Sequence, residues 1–267
     1  MVSPASTLRE IPRRIVTGPA LPASSSCTSL RESTVVFVSA CSVIARSALC
    51  VPVVSALTAF LLLAAPAQAQ PQKLIALGDS LTQGYGLAEG DGFVPQLEAW
   101  LRQKGYDVQL VNAGVSGDTS QGGLSRLEWT LSEGADAMIV TLGGNDLLRG
   151  LDPALTRRNL DAILSGAAAK DVPVLLVAME APGNYGPQYR EEFDRLYPEL
   201  AEKHGVLLGE SFLKPLVRGE TNLSVMRDFM QGDGIHPNRE GVTKIVEAMG
   251  PKVAELLDQA RMRRETK

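Results

Sequence analysis

Apolar positions from residue 73 onward follow two alternating patterns. Short, nearly continuous apolar runs predict buried β-strands, and between them apolar residues recur every three or four positions, as on one face of a helix. The predicted strands are residues 73–78, 107–113, 136–143, 172–179 and 205–209. Strands that alternate with helices are typical of βαβ units. We therefore predict an α/β fold, a three-layer αβα sandwich around a five-stranded parallel sheet.

Five helices are predicted between and after these strands. Four have apolar stripes, and the remaining one begins with Asp152 as its cap and Pro153 in its first turn. The striped helices cover residues 93–101, 124–131, 189–200 and 242–256, and the helix that begins at Pro153 extends to about residue 170. Gly105 and Gly134 follow the first two stripes, as expected of residues that end helices.

The first 69 residues differ from the rest of the chain. Residues 51–65 are almost wholly apolar, Arg46 precedes them, and Ala67-Gln68-Ala69 has the small-x-small pattern of a secretory cleavage site. We predict that residues 1–69 are an N-terminal extension that contains a signal peptide, and that residues 70–267 form one domain, periplasmic or secreted. A retained membrane anchor within residues 47–72 is the alternative.

Charge and cysteine content exclude some classes of function. The chain has 26 basic and 30 acidic residues, and five of the basic but only two of the acidic ones precede residue 70. The predicted domain is therefore acidic, which argues against a nucleic-acid partner. All three cysteines, Cys27, Cys41 and Cys50, also precede residue 70. We expect a domain without disulfide bonds, a thiol nucleophile or a cysteine-based metal site.

Polar, glycine-rich loops follow the first four predicted strands. They read GDSLTQG, GVSGDTS, GGNDLLRG and EAPGNYG, at residues 78–84, 114–120, 143–150 and 180–186. Because the carboxyl ends of parallel strands meet at one edge of a sheet, these loops are predicted to converge there. Ser80, which directly follows the first strand and is expected to begin a helix, is a candidate nucleophile.

A serine hydroxyl needs a base that accepts its proton. The chain has two histidines. His204 follows a predicted helix and is explained as its C-terminal residue, whereas His236 comes three residues after Asp233, which could orient the imidazole ring. Candidate donors for a developing oxyanion are the backbone N–H groups of Ser80 and Gly117 and the side-chain amide of Asn145. Each of these residues, taken alone, is equally explained by turn formation.

Together these residues resemble the GDSL or SGNH hydrolases. Four blocks match in order: GDSL with Ser80, NAGVSGDTS with Gly117, GGND with Asn145, and DGIH with Asp233 and His236. The segments VSGDTSQGGLSRL and NYGPQY are similar to the exported thioesterase/protease/lysophospholipase and arylesterase group of Gram-negative bacteria. The resemblance implies a flavodoxin-like fold and hydrolysis of aryl esters, acyl-CoA thioesters and lysophospholipids through an acyl-serine, without metal or other cofactor.

The resemblance also implies roles for individual residues. Ser80, Asp233 and His236 would be catalytic, and Ser80, Gly117 and Asn145 would form the oxyanion hole. Residues 211–231 match the family least, and candidates there for contact with an acyl chain are Met226, Phe229 and Met230, with Tyr185 added from the preceding loop. Core packing explains the two methionines equally well. Asp79 and Asp118 are predicted to hold loops through hydrogen bonds to backbone N–H groups.

Expected partners follow from the same reasoning. The substrate would be a small acyl ester or thioester bound by a monomer, with transient contact to a lipid or membrane surface. A carbohydrate acetylesterase with the same chemistry is the main alternative. A non-catalytic binding protein is less consistent with the intact set of Ser80, Asp233 and His236. A metal-dependent hydrolase is disfavoured, because two distant histidines and no cysteine leave mainly carboxylates as ligands.

Overall fold

The computed structural model describes residues 70–217 and 226–266. The predicted signal peptide, its cleavage site and most of the alternative anchor segment lie outside the described residues. Within the described ranges, no helix is long and apolar enough to cross a membrane.

Five parallel strands form one sheet, as predicted. They are β1 (Gln72–Gly78), β2 (Val108–Gly114), β3 (Ala137–Thr141), β4 (Val174–Val177) and β5 (Leu207–Gly209). Their order across the sheet is β2-β1-β3-β4-β5, and every pair is parallel. This is the flavodoxin-like doubly wound order, in which connections leave β1 and β3 towards opposite sides. Ligands of such sheets bind outside the carboxyl ends of the strands at that switch point.

Eight α-helices lie wholly within the described residues. They are α1 (Ser80–Gln83), α2 (Phe93–Gln103), α3 (Ser120–Ser125), α4 (Leu127–Thr130), α5 (Gly144–Leu148), α6 (Pro153–Ala169), α7 (Pro187–His204) and α8 (Arg239–Glu265). Helix α2 packs against α8, and α6 packs against α3 and α7, so that helices flank the sheet. The Asp152 side chain accepts a hydrogen bond from the backbone of Ala154 and caps α6, as predicted.

The helix predicted over residues 124–131 is instead two short helices that meet at Arg126. Arg126 has φ −109° and ψ 3°, outside regular helix geometry. Its guanidinium group donates to the Asp118 carboxylate (2.7 Å) and to the Gly78 carbonyl oxygen at the end of β1 (2.8 Å). These two bonds hold Arg126 in the non-helical conformation and divide the helix.

The sheet core is continuous, and one close contact near its edge depends on a glycine. Leu74, Ile75 and Leu77 of β1 and the apolar side chains of β3 are fully or almost fully buried, because helices cover both faces of these central strands. At the end of β2, a Cβ atom on Gly114 would lie 2.3 Å from the backbone nitrogen of Gln83. Glycine therefore lets the end of β2 contact α1 and brings the β2–α3 loop close to Ser80.

Candidate active site

Ser80 stands at the turn between the central strand β1 and helix α1. Asp79 is the N-cap of this short helix, and its Oδ1 accepts a hydrogen bond from the backbone of Leu81 (3.0 Å). A serine in the first position of a helix next to the switch point has its hydroxyl group close to exposed backbone N–H groups. The prediction that Ser80 begins a helix is confirmed.

Ser80, His236 and Asp233 form a connected hydrogen-bonded chain. The Ser80 Oγ lies 2.9 Å from Nε2 of His236, and Nδ1 of the same ring lies 2.6 Å from Oδ2 of Asp233. Each ring nitrogen therefore faces a different partner, one a hydroxyl and one a carboxylate. This arrangement allows the imidazole to accept the hydroxyl proton while the carboxylate stabilises the resulting imidazolium.

Asp233 is held in its ionised form by three hydrogen bonds. The backbone N–H of His236 (3.0 Å), its ring, and the backbone N–H of Ile235 (2.9 Å) donate to the carboxylate. These donors lower the pKa of Asp233 from 3.8 to about 2. The carboxylate thus stays charged at neutral and mildly acidic pH and can orient the ring throughout that range.

The segment that carries His236 is tied to the loop after α1. The backbone of Gln231 donates to the carbonyl of His236 (2.7 Å), and its side-chain amide donates to the carbonyl oxygens of Tyr85 (2.8 Å) and Pro237 (3.0 Å). The Tyr85 ring lies beside the imidazole, with 4.7 Å between ring centroids. The position of His236 therefore depends on contacts across a large separation in sequence.

The predicted oxyanion donors occupy two different loops beside Ser80. The Asn145 side chain donates to Oδ2 of Asp79 (3.2 Å), which holds the amide in place and leaves its second N–H for a ligand. Gly117 has φ +82°, a conformation that favours glycine, and its carbonyl accepts from Arg149 (2.8 Å). Ser80 and Asn145 line the same cleft, whereas Gly117 lies in the neighbouring β2–α3 loop outside the cleft lining.

A mainly apolar cleft of about 570 Å³ opens beside Ser80. It extends along the carboxyl edge of the sheet, since residues that follow β1, β3, β4 and β5 contribute in turn. Its apolar lining residues are Leu81, Leu147, Leu148, Met179, Ala181, Pro182, Leu213, Val217, Met226 and Ile235. The polar groups at the Ser80 end and the aliphatic walls beyond them suit a ligand with a reactive polar group on a hydrocarbon chain.

Comparison with known proteins identifies the family. Residues 76–244 match the GDSL-like Lipase/Acylhydrolase family. The chain is 39% identical to Esterase TesA of Pseudomonas aeruginosa over 191 residues, 71% of this chain and 92% of that protein. It is 36% identical to Thioesterase 1/protease 1/lysophospholipase L1 of Escherichia coli over 205 residues, 74% of this chain and 91% of the relative.

The chain belongs to the GDSL-like lipase/acylhydrolase family. It is accordingly a carboxylic ester hydrolase, as its sequence predicts. A solved structure agrees: AlinE4, an SGNH-hydrolase family esterase, is 42% identical with a TM-score of 0.58, covering 70% of this chain and 97% of AlinE4. The matched region contains all four blocks by which the sequence resembles these hydrolases.

In this GDSL-like acylhydrolase the aspartate of the GDSL block is a buried structural group. Asp79 is 2% exposed, caps α1 and holds the Asn145 amide. Burial raises the pKa of Asp79 from 3.8 to about 6, although its hydrogen bonds to Leu81 and Asn145 act in the opposite direction. The prediction of a bond to a backbone N–H is confirmed for Asp79. It is wrong for Asp118, whose carboxylate pairs with the Arg126 guanidinium at 2.7 Å.

The four residues predicted to contact an acyl chain are not all brought to the cleft. Met226 lines it. Met230 is 9% exposed and belongs to the hydrophobic core, and the Phe229 ring packs partly buried beneath Lys244 Nζ, 4.7 Å from the ring centroid. Tyr185 is 42% exposed, and its hydroxyl donates to the Leu148 carbonyl (3.2 Å) behind the cleft wall.

Sequence reasoning missed a buried network that supports Asn145. The neighbouring Asp146 is 1% exposed, and its carboxylate accepts hydrogen bonds from the backbone and hydroxyl of Ser120 and from the hydroxyl of Thr156 (3.1 Å). These bonds fix α5 to α3 and α6. The sequence did contain a signal for this network, because Asp146 is the last residue of the GGND block. A buried aspartate needs hydrogen-bond donors around its carboxylate.

The second histidine lies away from the site. His204 ends α7, and its Nε2 lies 2.6 Å from Oδ1 of Asp161, which also accepts from Lys203. This confirms its interpretation as a residue at the end of a helix. Among the described residues, no three His, Cys, Asp or Glu side chains are placed to hold a metal ion.

Proposed function

We propose that this protein is a serine esterase and thioesterase that hydrolyses aryl esters, acyl-CoA thioesters and lysophospholipids through an acyl-serine intermediate. The observation that carries the proposal is the Ser80–His236 contact of 2.9 Å, backed by Asp233 and located at one end of an apolar cleft. The printed names of the relatives, an esterase and a thioesterase/lysophospholipase, support the same substrate classes.

The first half of the reaction forms the acyl-enzyme. Nε2 of His236 takes the proton of the Ser80 hydroxyl while Oγ attacks the carbonyl carbon, and Asp233 stabilises the imidazolium. The carbonyl oxygen becomes an oxyanion that accepts hydrogen bonds from the N–H groups of Ser80 and Gly117 and from the Asn145 amide. When the tetrahedral intermediate collapses, the imidazolium protonates the departing alcohol or thiol, and the acyl group stays on Ser80.

The second half releases the acid. His236 removes a proton from a water molecule, which attacks the acyl carbonyl, and the same donors bind the second oxyanion. Collapse of this intermediate breaks the bond to Oγ, and the proton on His236 returns to Ser80. The enzyme is restored without any cofactor, and the products are the free acid and the alcohol or thiol.

The wall of the cleft favours lipid-like acyl groups over acetylated sugars. A sugar site needs several convergent hydrogen-bonding side chains, whereas most of this cleft beyond Asn145 is lined by aliphatic residues. A carbohydrate acetylesterase is therefore the second candidate. It would be favoured by activity that falls steeply once the acyl group is longer than acetate.

The test is serine-dependent turnover of p-nitrophenyl esters from acetate to palmitate, together with palmitoyl-CoA. We expect Ser80→Ala to lower kcat at least about a thousandfold with the fold intact. Ser165→Ala, at an exposed serine of α6, is the matched control and should retain kcat. Near-normal turnover by Ser80→Ala would exclude the acyl-serine mechanism, and turnover restricted to acetate would favour the sugar esterase.

We further propose that the domain is exported after cleavage near Ala69, works as a monomer in the periplasm or outside the cell, and touches lipid surfaces only transiently. The small-x-small pattern at Ala67-Gln68-Ala69 supports this location. N-terminal sequencing of the protein recovered from a Gram-negative host is expected to begin at Gln70. A chain that still carries residues 47–69 in the membrane fraction would support an anchor instead.

A further inference from the structure

One residue lines two adjoining cavities. Ser211 follows β5 and contributes to the wall of the active-site cleft, to which Ser80 also contributes. It also lines a second cavity of about 320 Å³, which lies between β5 and α8. No other described residue lines both cavities.

The second cavity has the chemistry to receive the end of a hydrocarbon chain. Its apolar lining residues are Leu208, Pro215, Ala248, Met249 and Pro251. Charged residues also line this cavity, among them Lys252 and Glu255. Nζ of Lys252 lies 2.9 Å from Oε2 of Glu255, so these two charges form an ion pair. An aliphatic cavity next to an aliphatic cleft suits one continuous apolar ligand better than two separate ligands.

Ser211 is small, and within residues 70–217 and 226–266 its hydroxyl makes no hydrogen bond. The residue is 8% exposed, and its backbone carbonyl accepts from the backbone of Lys214 at 2.9 Å. Among the described residues, Ser211 is the one shared by the two linings, and no hydrogen bond of its hydroxyl ties it to a neighbouring element. Its size decides how much room a ligand has where the cleft ends.

The strand order gives the distance along the sheet edge between Ser80 and Ser211, where the cleft meets the second cavity. Ser80 follows β1 and Ser211 follows β5, three strand positions away. With neighbouring strands ~4.8 Å apart, the separation along the sheet edge is roughly 14 Å. An extended chain advances about 1.2 Å per bond, so an acyl group on Ser80 reaches Ser211 after about a dozen bonds.

We propose that Ser211 sets the upper limit of acyl-chain length. Its small side chain lets acyl groups longer than about a dozen carbons extend from the cleft into the second cavity, where their last methylenes are buried. The inference rests on the proposed function, because the ligand is the acyl group whose carbonyl is attacked by Ser80. Laurate would fill the cleft, and only longer groups would use the second cavity.

Two variants close the path at different points. Ser211→Leu narrows the boundary itself, and Ser211→Ala removes the hydroxyl without adding bulk. Ala248→Trp fills the second cavity from an exposed position on α8, and it keeps the inference testable if Ser211→Leu does not fold. Ala162→Trp, at an exposed alanine of α6 that lines neither cavity, is the matched control.

The measurement is kcat/KM for p-nitrophenyl butyrate, laurate and palmitate, dispersed in the same detergent. A methylene that can no longer be buried lowers kcat/KM about fourfold, so Ser211→Leu should lower the palmitate to butyrate ratio at least about tenfold. Ala248→Trp should lower the palmitate to laurate ratio at least about fivefold and leave the laurate to butyrate ratio unchanged. Ser211→Ala and Ala162→Trp should keep the wild-type ratios.

The outcomes separate this inference from the proposed function. Ratios that stay at wild-type values in both Ser211→Leu and Ala248→Trp overturn the chain-length limit, provided that Ser80→Ala is inactive. A wild-type enzyme that does not hydrolyse palmitate also overturns it. Full activity of Ser80→Ala overturns the proposed function, and the role of Ser211 with it.

Discussion

At the scale of single residues, Asp79 is the clearest example of a side chain whose position conflicts with its charge. Its carboxyl group caps α1 and holds Asn145, which favours the ionised form. It is nevertheless 2% exposed, and burial raises its pKa to about 6. The folded protein therefore retains the Asp79 proton over a pH range in which the unfolded chain has released it.

This difference predicts that the stability of the protein depends on the protonation of Asp79. Between pH 3.8 and about 6 the folded state binds more protons than the unfolded state, so its free energy of unfolding falls as pH rises. A shift of about two pKa units corresponds to about 3 kcal/mol. Relative to wild type, Asp79→Asn should gain about 2–3 kcal/mol of stability from pH 4 to 7, and no more above pH 7.

Urea denaturation of wild type and Asp79→Asn across this range measures the difference. The asparagine loses a hydrogen bond to Leu81 or Asn145, but that loss is a constant offset and does not change with pH. A difference in the free energy of unfolding that is the same at pH 4 and pH 7 would show that Asp79 is ionised in the folded protein at both.

Asp233 has the opposite linkage. Hydrogen bonds from His236 and Ile235 lower its pKa to about 2, so this group stabilises the folded state above pH 3.8 and loses that contribution as pH falls towards 2. At pH 4 the unfolded chain still binds part of a proton at Asp233, but above about pH 5 Asp233 is almost fully ionised in both states, and its contribution is the same in wild type and Asp79→Asn. The two aspartates are therefore distinguishable by the pH at which their effects occur.

At the scale of elements, Arg126 joins three segments that build the site. Its guanidinium contacts the Asp118 carboxylate, in the loop that carries Gly117, and the carbonyl of Gly78, the last residue of β1. Both side chains of the Arg126–Asp118 pair are less than one-fifth exposed. The break between α3 and α4 is thus the consequence of a tie between the loop after β2 and the strand before Ser80.

We predict that Arg126→Lys destabilises the protein by about 1–3 kcal/mol, because a lysine keeps the charge but has one donor nitrogen in place of the fork with which Nε and Nη2 reach two separate acceptors. Urea denaturation at neutral pH measures the change. Arg195→Lys is the matched control: its ion pairs with Glu191 and Glu199 are exposed, and it should change stability by less than about 0.5 kcal/mol. Equal effects of the two substitutions would mean that the Arg126 contacts add nothing to an ordinary surface pair.

Elements with strong periodic patterns were predictable from the sequence, and short ones were not. The five strands are nearly continuous apolar runs, α2, α7 and α8 each show several helical repeats, and α6 begins with a recognisable cap and first-turn proline. Helix α5 has only five residues and begins after Gly143, so no apolar period could reveal it. The split at Arg126 depends on partners at positions 78 and 118, which a local pattern does not contain.

The same difference between local and long-range signals decides which residues of the candidate site were predictable from the sequence. Ser80 was recognisable because it directly follows an apolar strand, and Asp233 and His236 because they are close in sequence. The cleft lining comes from loops after four different strands, so Met179 or Ser211 gave no local signal. Phe229 and Met230 are candidates for the cleft because they are apolar and lie within residues 211–231, with core packing equally open for Met230. Neither feature distinguishes a cavity wall from the core.

At the scale of the whole molecule, the fold places a reactive centre at one end of a long apolar surface. The centre lies at the switch point beside β1, and the cleft follows the carboxyl edge of the sheet across β3, β4 and β5. Strand β1 therefore contributes both to the sheet and to the site. It pairs with β2 and β3 along its length, and it leads directly into Ser80.

The position of β1 determines where the folded domain can begin. Gln72 donates from its backbone to the Asp107 carbonyl (2.9 Å) and from its side chain to the Leu257 carbonyl (2.9 Å), and the backbone of Lys73 donates to Asp136 (2.7 Å). Leu74 and Ile75 are fully buried, and each contributes about 1.5–3 kcal/mol through burial. Losing all of these contacts removes a large share of the ~5–15 kcal/mol by which domains are stable.

We therefore predict that a chain of residues 70–267 unfolds cooperatively and hydrolyses p-nitrophenyl butyrate with the kcat of the full chain, within about twofold. A chain of residues 76–267, only six residues shorter, should aggregate or show no cooperative transition, because half of the central strand is missing. Thermal unfolding and ester hydrolysis of the two chains, measured beside the full-length protein, provide the comparison. If the chain of residues 70–267 is itself unstable or inactive, residues 1–69 are part of the folded enzyme, and the division of the chain at Gln70 is wrong.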